Sequence, residues 1–245
     1  MKKFVCSIAL VLAAGAFAQE RRAMPTDSFA SDNQTIPVMA NNPGVGGAVF
    51  QTYVALLNPT ASSISVEANL YDPAGTKRTA TITLAAGELK TYNNFLSEVF
   101  NYNGGGAVTL KSAAGNRFIV NAEVRTAGSR YSTPVPALEF AGSNSRSFSA
   151  GVTVDANSRT NVGCFNQAGV TNSIKATVYD NSGHQTLGTT TLNLAANAWG
   201  QTAITTIVSG GYIVFEPEDS AVCYAVVVDN TTNDGRFISA AEYKP

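Results

Sequence analysis

Histidine occurs once in this 245-residue chain, as His184 in the stretch Asn181-Ser182-Gly183-His184-Gln185. A nucleophilic triad needs an imidazole beside a serine or cysteine, and a zinc site needs several nitrogen or sulfur ligands. His184 follows a glycine on a polar turn, so it reads as a solvated histidine rather than a general base. Paired carboxylates are the other route to catalysis. The densest acidic cluster is Glu216-Pro217-Glu218-Asp219, between the apolar runs Ile213-Val214-Phe215 and Ala221-Val222. That placement reads as a hairpin tip, whereas glycosidase carboxylates come more naturally from separate strands across a cleft. The expectation is a chain with no catalytic residues, not an enzyme.

Ion and ligand binding need weaker signals. Asp229-Asn230-Thr231-Thr232-Asn233-Asp234-Gly235 offers several short oxygen-bearing side chains before a glycine. Asp229, Asn230, Asn233 and Asp234 could wrap a calcium ion. The same residues also suit a tight turn, and their spacing is not that of an EF-hand. No other cofactor is expected. Gly44-Val45-Gly46-Gly47 precedes a strand rather than a helix, which removes the geometry of a phosphate loop. Tyr92, Phe95, Phe100, Tyr102 and Trp199 could form a sugar-binding platform or be packing residues.

The elements that would position these groups begin after a targeting segment. Met1-Lys2-Lys3 is basic, Phe4 to Phe17 is mostly apolar, and Ala16-Phe17-Ala18 has the small-x-small pattern of a signal-peptidase site. An apolar run of about 14 residues is too short to span a bilayer. Residues 1–18 therefore read as a signal peptide, leaving a mature chain without a transmembrane segment. Cys6 lies inside the apolar run, away from the cleavage point where a lipoprotein cysteine would stand. Removing 1–18 takes two lysines and no acids, leaving 14 basic against 17 acidic residues and a net charge of −3. That balance provides no basic face for a phosphate backbone, and nucleic acid is not an expected partner.

Residues 19–34 have no apolar periodicity and read as a flexible leader. In TIPVMA (35–40), Ile36 and Val38 alternate, and Pro37 confines the segment to a sheet edge. Ile64, Val66, Ala68 and Leu70 then share one face of a strand. Asp72-Pro73-Ala74-Gly75 is a turn, and Ala80, Ile82 and Leu84 complete a hairpin. Asn94 can cap a short helix carrying Phe95, Leu96, Val99 and Phe100, which Gly104 to Gly106 would stop. Phe118, Val120, Ala122 and Val124 form the last clear strand of the unit.

The order then repeats. Val66, Ala68 and Leu70 are matched by Ile174, Ala176 and Val178 at an offset of 108, as are Tyr71-Asp72 and Gly75 by Tyr179-Asp180 and Gly183. Leu192 and Leu194 match Ile82 and Leu84 at 110, making the second hairpin two residues longer. Ala225 and Val227 match Ala122 and Val124 at 103. Inward positions agree while outward ones mostly differ, as expected of two copies that share a core constraint. Cys164 falls on Leu56 and Cys223 on Val120, both core positions of separate strands. An even cysteine count after processing favours a Cys164–Cys223 disulfide, although two buried thiols would also pack. Closing that loop is worth roughly 4 kcal/mol in the chain-entropy account.

VALLNPTASSISVEANLYDPAG, LAAGELKTYNNFLSEVFNYNGGGAVTLKS and FIVNAEVRTAG, with RTNVGCFN and YAVVVDNTTNDGRFI in the second copy, resemble repeats of exported proteins from acidobacteria and related bacteria. Gln167 departs from the pattern, standing where the first copy has Pro59. The resemblance implies an all-β fold of two tandem immunoglobulin-like sandwiches, over 35–140 and 141–245. It carries no common activity. The expected function is a secreted, non-enzymatic interaction or structural protein of the envelope or extracellular space. Its partner would be a protein or glycan at the cell surface, and a carbohydrate- or calcium-binding module is the alternative.

Overall fold

Several strands follow from period-two alternation, β3 and the end of β4 most plainly, and the sheets follow from which apolar faces can be buried together. The computed structural model describes residues 30–128, 132–139, 142–183 and 185–242. The signal segment, most of the leader and His184 lie outside them. The first half contains β1 (Asn33–Pro43), β2 (Val49–Leu57), β3 (Ile64–Tyr71), β4 (Lys77–Leu84) and β5 (Leu89–Tyr92). It continues with α1 (Phe95–Phe100), β6 (Gly104–Ser112), β7 (Ile119–Thr126) and β8 (Ser132–Val135). All strands are antiparallel and form one eight-stranded sheet, ordered β4-β3-β6-β1-β2-β7-β8 with β5 on β2.

Two expectations change here. β1 is not at an edge: it lies between β6 and β2. Pro37 is tolerated because the β1–β6 register shifts between Ile36 and Met39, and β1 meets β2 only at Asn41–Pro43. Proline inside a sheet is accommodated at such an irregularity, where no ladder donor is required. Ordered structure also begins before residue 35. Ser31 bridges Phe118, and the buried Gln34 donates from Nε2 to the Phe118 carbonyl at 2.8 Å. Buried polar side chains gave no apolar rhythm to read. The helix is capped as expected, Asn94 Oδ1 accepting from Ser97 N–H at 3.3 Å. It ends at Asn101 in the left-handed region (φ 50°), before the glycines, which instead open β6.

The second half contains β9 (Ser147–Val154), β10 (Ser158–Asn166), β11 (Asn172–Tyr179), β12 (Thr186–Leu194) and β13 (Trp199–Ile204). Then follow β14 (Val208–Pro217), β15 (Ala221–Asp229), β16 (Gly235–Ser239) and β17 (Ala241–Glu242). They make two antiparallel sheets, β13-β10-β15-β16 and β12-β11-β14-β9-β17. Apart from β17, this is the strand order of the first half, with β1 no longer joining the two sheets. Side chains from both sheets, including Val162, Ile174, Leu192, Ile213, Phe215 and Ala225, form one buried cluster. The longer second hairpin is explained by a register shift between Val178 and Tyr179 and by a longer turn.

Cys164 and Cys223 form a disulfide with Cα atoms 4.1 Å apart. They are direct cross-strand partners on β10 and β15, as Leu56 and Val120 are on β2 and β7. The bridge thus joins neighbouring strands of one sheet, and does not cross between sheets as the antibody-domain disulfide does. A second repeated device was not anticipated. Asn58 is fully buried, and its Nδ2 donates to the carbonyls of Ser62 and Ala85, both at 2.8 Å. Asn166 donates in the same way to Val170 at 2.8 Å and Ala195 at 2.7 Å. Each Oδ1 accepts from the amide two residues on, at 3.0 Å. Each asparagine therefore ties a strand end to the hairpin that follows it.

Candidate functional site

The two halves meet through the outward face of β13-β10-β15-β16, where alternation places Gly163, Phe165, Trp199, Gln201, Tyr224, Val226 and Phe237. Tyr224 is fully buried and belongs to the hydrophobic cluster of the first half, against which Trp199, Val226 and Phe237 also pack. Glycines make the approach possible. A β-carbon on Gly163 would run into the Tyr224 ring, and one on Gly105 would lie 2.7 Å from the Trp199 indole. The Phe165 and Tyr71 rings are 5.0 Å apart across the junction. Trp199 N–H also donates to the Asp72 carbonyl at 3.2 Å.

A polar chain runs through this contact. Trp199 Nε1–H donates to the Tyr224 hydroxyl at 3.0 Å, and that hydroxyl donates to Gln201 Oε1 at 3.0 Å. Burial pushes the Tyr224 phenol well above its ordinary pKa, so it remains a neutral donor. Beside the chain lies a cleft of about 380 Å³. Val38, Met39 and Phe50 line it from the first half, and Asn161, Gln201 and Arg159 from the second. Among the described residues, Arg159 is the only ionisable one that lines it. Its guanidinium donates to Asn230 Oδ1 at 3.0 Å and Asn233 Oδ1 at 2.8 Å. Burial lowers its pKa, and the nearby Asp229 charge opposes that shift.

The proposed calcium residues therefore sit in the β15–β16 turn at the edge of the cleft. Asp229 Oδ1 accepts from Thr231 N–H at 2.8 Å and Thr232 N–H at 2.7 Å, and those backbone bonds hold its carboxyl below the usual range. The Asn230 and Asn233 side-chain oxygens face a guanidinium. The Asp234 carbonyl accepts from Asp229 N–H at 2.9 Å. Among the described residues no group of three or more His, Cys, Asp or Glu is arranged to hold a metal.

The remaining sequence candidates are scattered. Glu216 pairs with Arg146 at 3.3 Å and Lys175 at 3.4 Å. The acidic segment crosses from β14 in one sheet to β15 in the other, so it is an inter-sheet corner rather than a hairpin tip. Val45–Gly47 form a single 3-10 turn between β1 and β2, with Gly44 extended before it. Phe95 is fully buried and packs edge-on against Tyr92 and Phe100, while Tyr102 lies under Arg78. Of the five aromatics, only Trp199 reaches the cleft.

Sequence reasoning missed Arg159, Asn161, Gln201 and Tyr224. One signal was present. Val120-Asn121-Ala122-Glu123-Val124-Arg125 alternates, whereas the matching Cys223-Tyr224-Ala225-Val226-Val227-Val228 is continuously apolar. Such a run marks a strand covered on both faces.

No family model matches the chain, and no curated protein matches it. Among solved structures, the chain is similar to Bacteroides uniformis beta-glucuronidase 2 covalently bound to cyclophellitol-6-carboxylate aziridine, at 11% identity and a TM-score of 0.18. The match covers 79% of this chain and 24% of that one, so the chain spans about a quarter of that enzyme's length. A likeness this slight bears on neither fold nor function.

Proposed function

We propose that the chain is an exported, non-enzymatic interaction protein of the bacterial envelope or extracellular space. In this reading it consists of two tandem immunoglobulin-like sandwiches that hold a binding cleft between them. The repeated strand order and the repeated asparagine clamp support the tandem reading, and the disulfide supports an oxidising compartment. The carrying observation is the cleft. It lies at a junction fixed by Trp199, Tyr224 and Gln201, and its lining combines apolar side chains with a few oriented hydrogen-bond donors. Preformed apolar clefts with few convergent polar groups are the usual form of a binding site.

The test is to fill the cleft. Ala203 lines it and is exposed, so Ala203→Trp should occupy the space without disturbing a core. On residues 19–245, this substitution should abolish the fluorescence enhancement of anilinonaphthalene sulfonate while leaving the melting temperature unchanged. Enhancement that survives the substitution would remove the cleft as the binding site. A carbohydrate-binding reading is favoured by Trp199 beside the Asn161 and Gln201 amides. A glycan array probed with both forms separates the two, because sugar binding lost in the filled form would replace the first reading.

A further inference from the structure

We propose that the junction cleft binds an amphipathic monocarboxylate, with a hydrocarbon body of about ten carbons and its head group at Arg159. This rests on the reading of the cleft as a binding site and adds the chemistry of what enters it. Size comes first. At about 30 Å³ per water-sized group, 380 Å³ accommodates roughly a dozen such groups. A saturated ten-carbon acid has about that many non-hydrogen atoms.

One wall is Val38, Met39 and Phe50 from the first half, and Val226 and Phe237 continue it on the second. A sugar, with hydroxyls around its whole rim, would leave most of them without partners on such walls. A hydrocarbon chain loses nothing there. Arg159, Asn161 and Gln201 stand together on the outward positions of β10 and β13, while Asn42, Thr133 and Asn233 are the other polar side chains of the described lining.

These polar groups present donors. The Trp199 indole can only donate, so the Tyr224 hydroxyl accepts from it and must give its own proton to Gln201 Oε1. With Oε1 engaged, the Gln201 amide is oriented to offer N–H groups. Arg159 has five N–H donors, of which Asn230 and Asn233 take two. A fixed, partly desolvated guanidinium with spare donors suits a carboxylate, which can accept two parallel bonds. Arg159 is the one cation among the described lining residues, and the Asp229 carboxylate beside it further limits the negative charge it can take, which favours a monoanion over a phosphate ester.

The experiment uses residues 19–245 with anilinonaphthalene sulfonate as reporter, displaced by decanoate, decanol or cellobiose at pH 7. Decanoate should displace it at concentrations about tenfold or more below decanol, the loss expected for a charged hydrogen bond. Cellobiose should not compete. Arg159→Gln should bring decanoate and decanol to the same affinity, and Arg159→Lys, which retains the charge, should keep much of the preference. Equal displacement by decanoate and decanol in the unaltered protein would overturn the proposal, as would a preference that survives Arg159→Gln. If cellobiose or decanol displaces the reporter best, and Ala203→Trp abolishes that binding, the cleft remains a binding site and only the ligand class falls. If Ala203→Trp changes nothing for any probe, the cleft reading falls with it.

Discussion

Asn58 and Asn166 perform one task at two places: each amide group donates to two backbone carbonyls, one just past its own strand and one at the end of the hairpin that follows. Replacing Asn166 with leucine would remove the partners of the Val170 carbonyl and the Ala168 amide, and leave the Ala195 carbonyl with the Ala198 amide alone. Since each buried unsatisfied group costs about 1–3 kcal/mol, Asn166→Leu should destabilise by about 2 kcal/mol or more in urea unfolding. Asn58→Leu should behave alike, and a loss below about 1 kcal/mol at both sites would contradict the clamp. Asp229 offers a titration at the same scale. Backbone amides hold its carboxyl below the ordinary 3.8, so its contribution is present above that value and is lost as pH falls through the lower folded value. The amide resonances of Thr231 and Thr232 should therefore shift with a midpoint below pH 3.8. A midpoint at or above it would show that the turn bonds do not hold the carboxylate.

At the scale of elements, the repeat gives strand positions a common coordinate. Leu56 and Val120 are paired on β2 and β7 as Cys164 and Cys223 are on β10 and β15. Leu56→Cys with Val120→Cys should therefore oxidise spontaneously, with no free thiol titratable after unfolding. The engineered bridge closes a loop of similar length, so up to roughly 4 kcal/mol of added stability is expected. Persistent free thiols in the folded double variant would show that the registers are not equivalent. The hairpins, the helix cap and the cysteine pair were legible in the sequence because each depends on residues within a turn or on a period of two. Pro37 was not. Its tolerance depends on a bulge between β1 and β6, whose residues are roughly seventy positions apart in the chain.

For the whole molecule, the junction should make two similar halves unfold as one body. Tyr224, a residue of the second half, packs in the core cluster of the first. Unfolding either half would expose that side chain together with Trp199 and Phe237, so calorimetry should show a single transition. Gly163→Val should split it into two, because the added side chain displaces the Tyr224 ring. Two separate transitions in the unaltered protein would mean that the halves are only loosely joined. The equivalent outward face of the first half shows what the junction requires. There, Asn121, Glu123 and Arg125 replace Tyr224, Val226 and Val228, and Glu123 pairs with Arg125 at 3.1 Å. One face is built for solvent and its copy for contact.

The sequence by itself determined the all-β class, the repeated hairpin, the cysteine pair and the tight turn at 229–235. Each is written in local alternation or in the comparison of two copies that bury the same inward positions. Only the tertiary structure decided where the halves meet, that the disulfide lies within one sheet, and that Arg159, Asn161 and Gln201 converge beside Trp199. Outward positions obey no local rule. Whether such a face meets water or another sheet depends on strands far apart in the chain, and the cleft exists only where those faces fail to close completely.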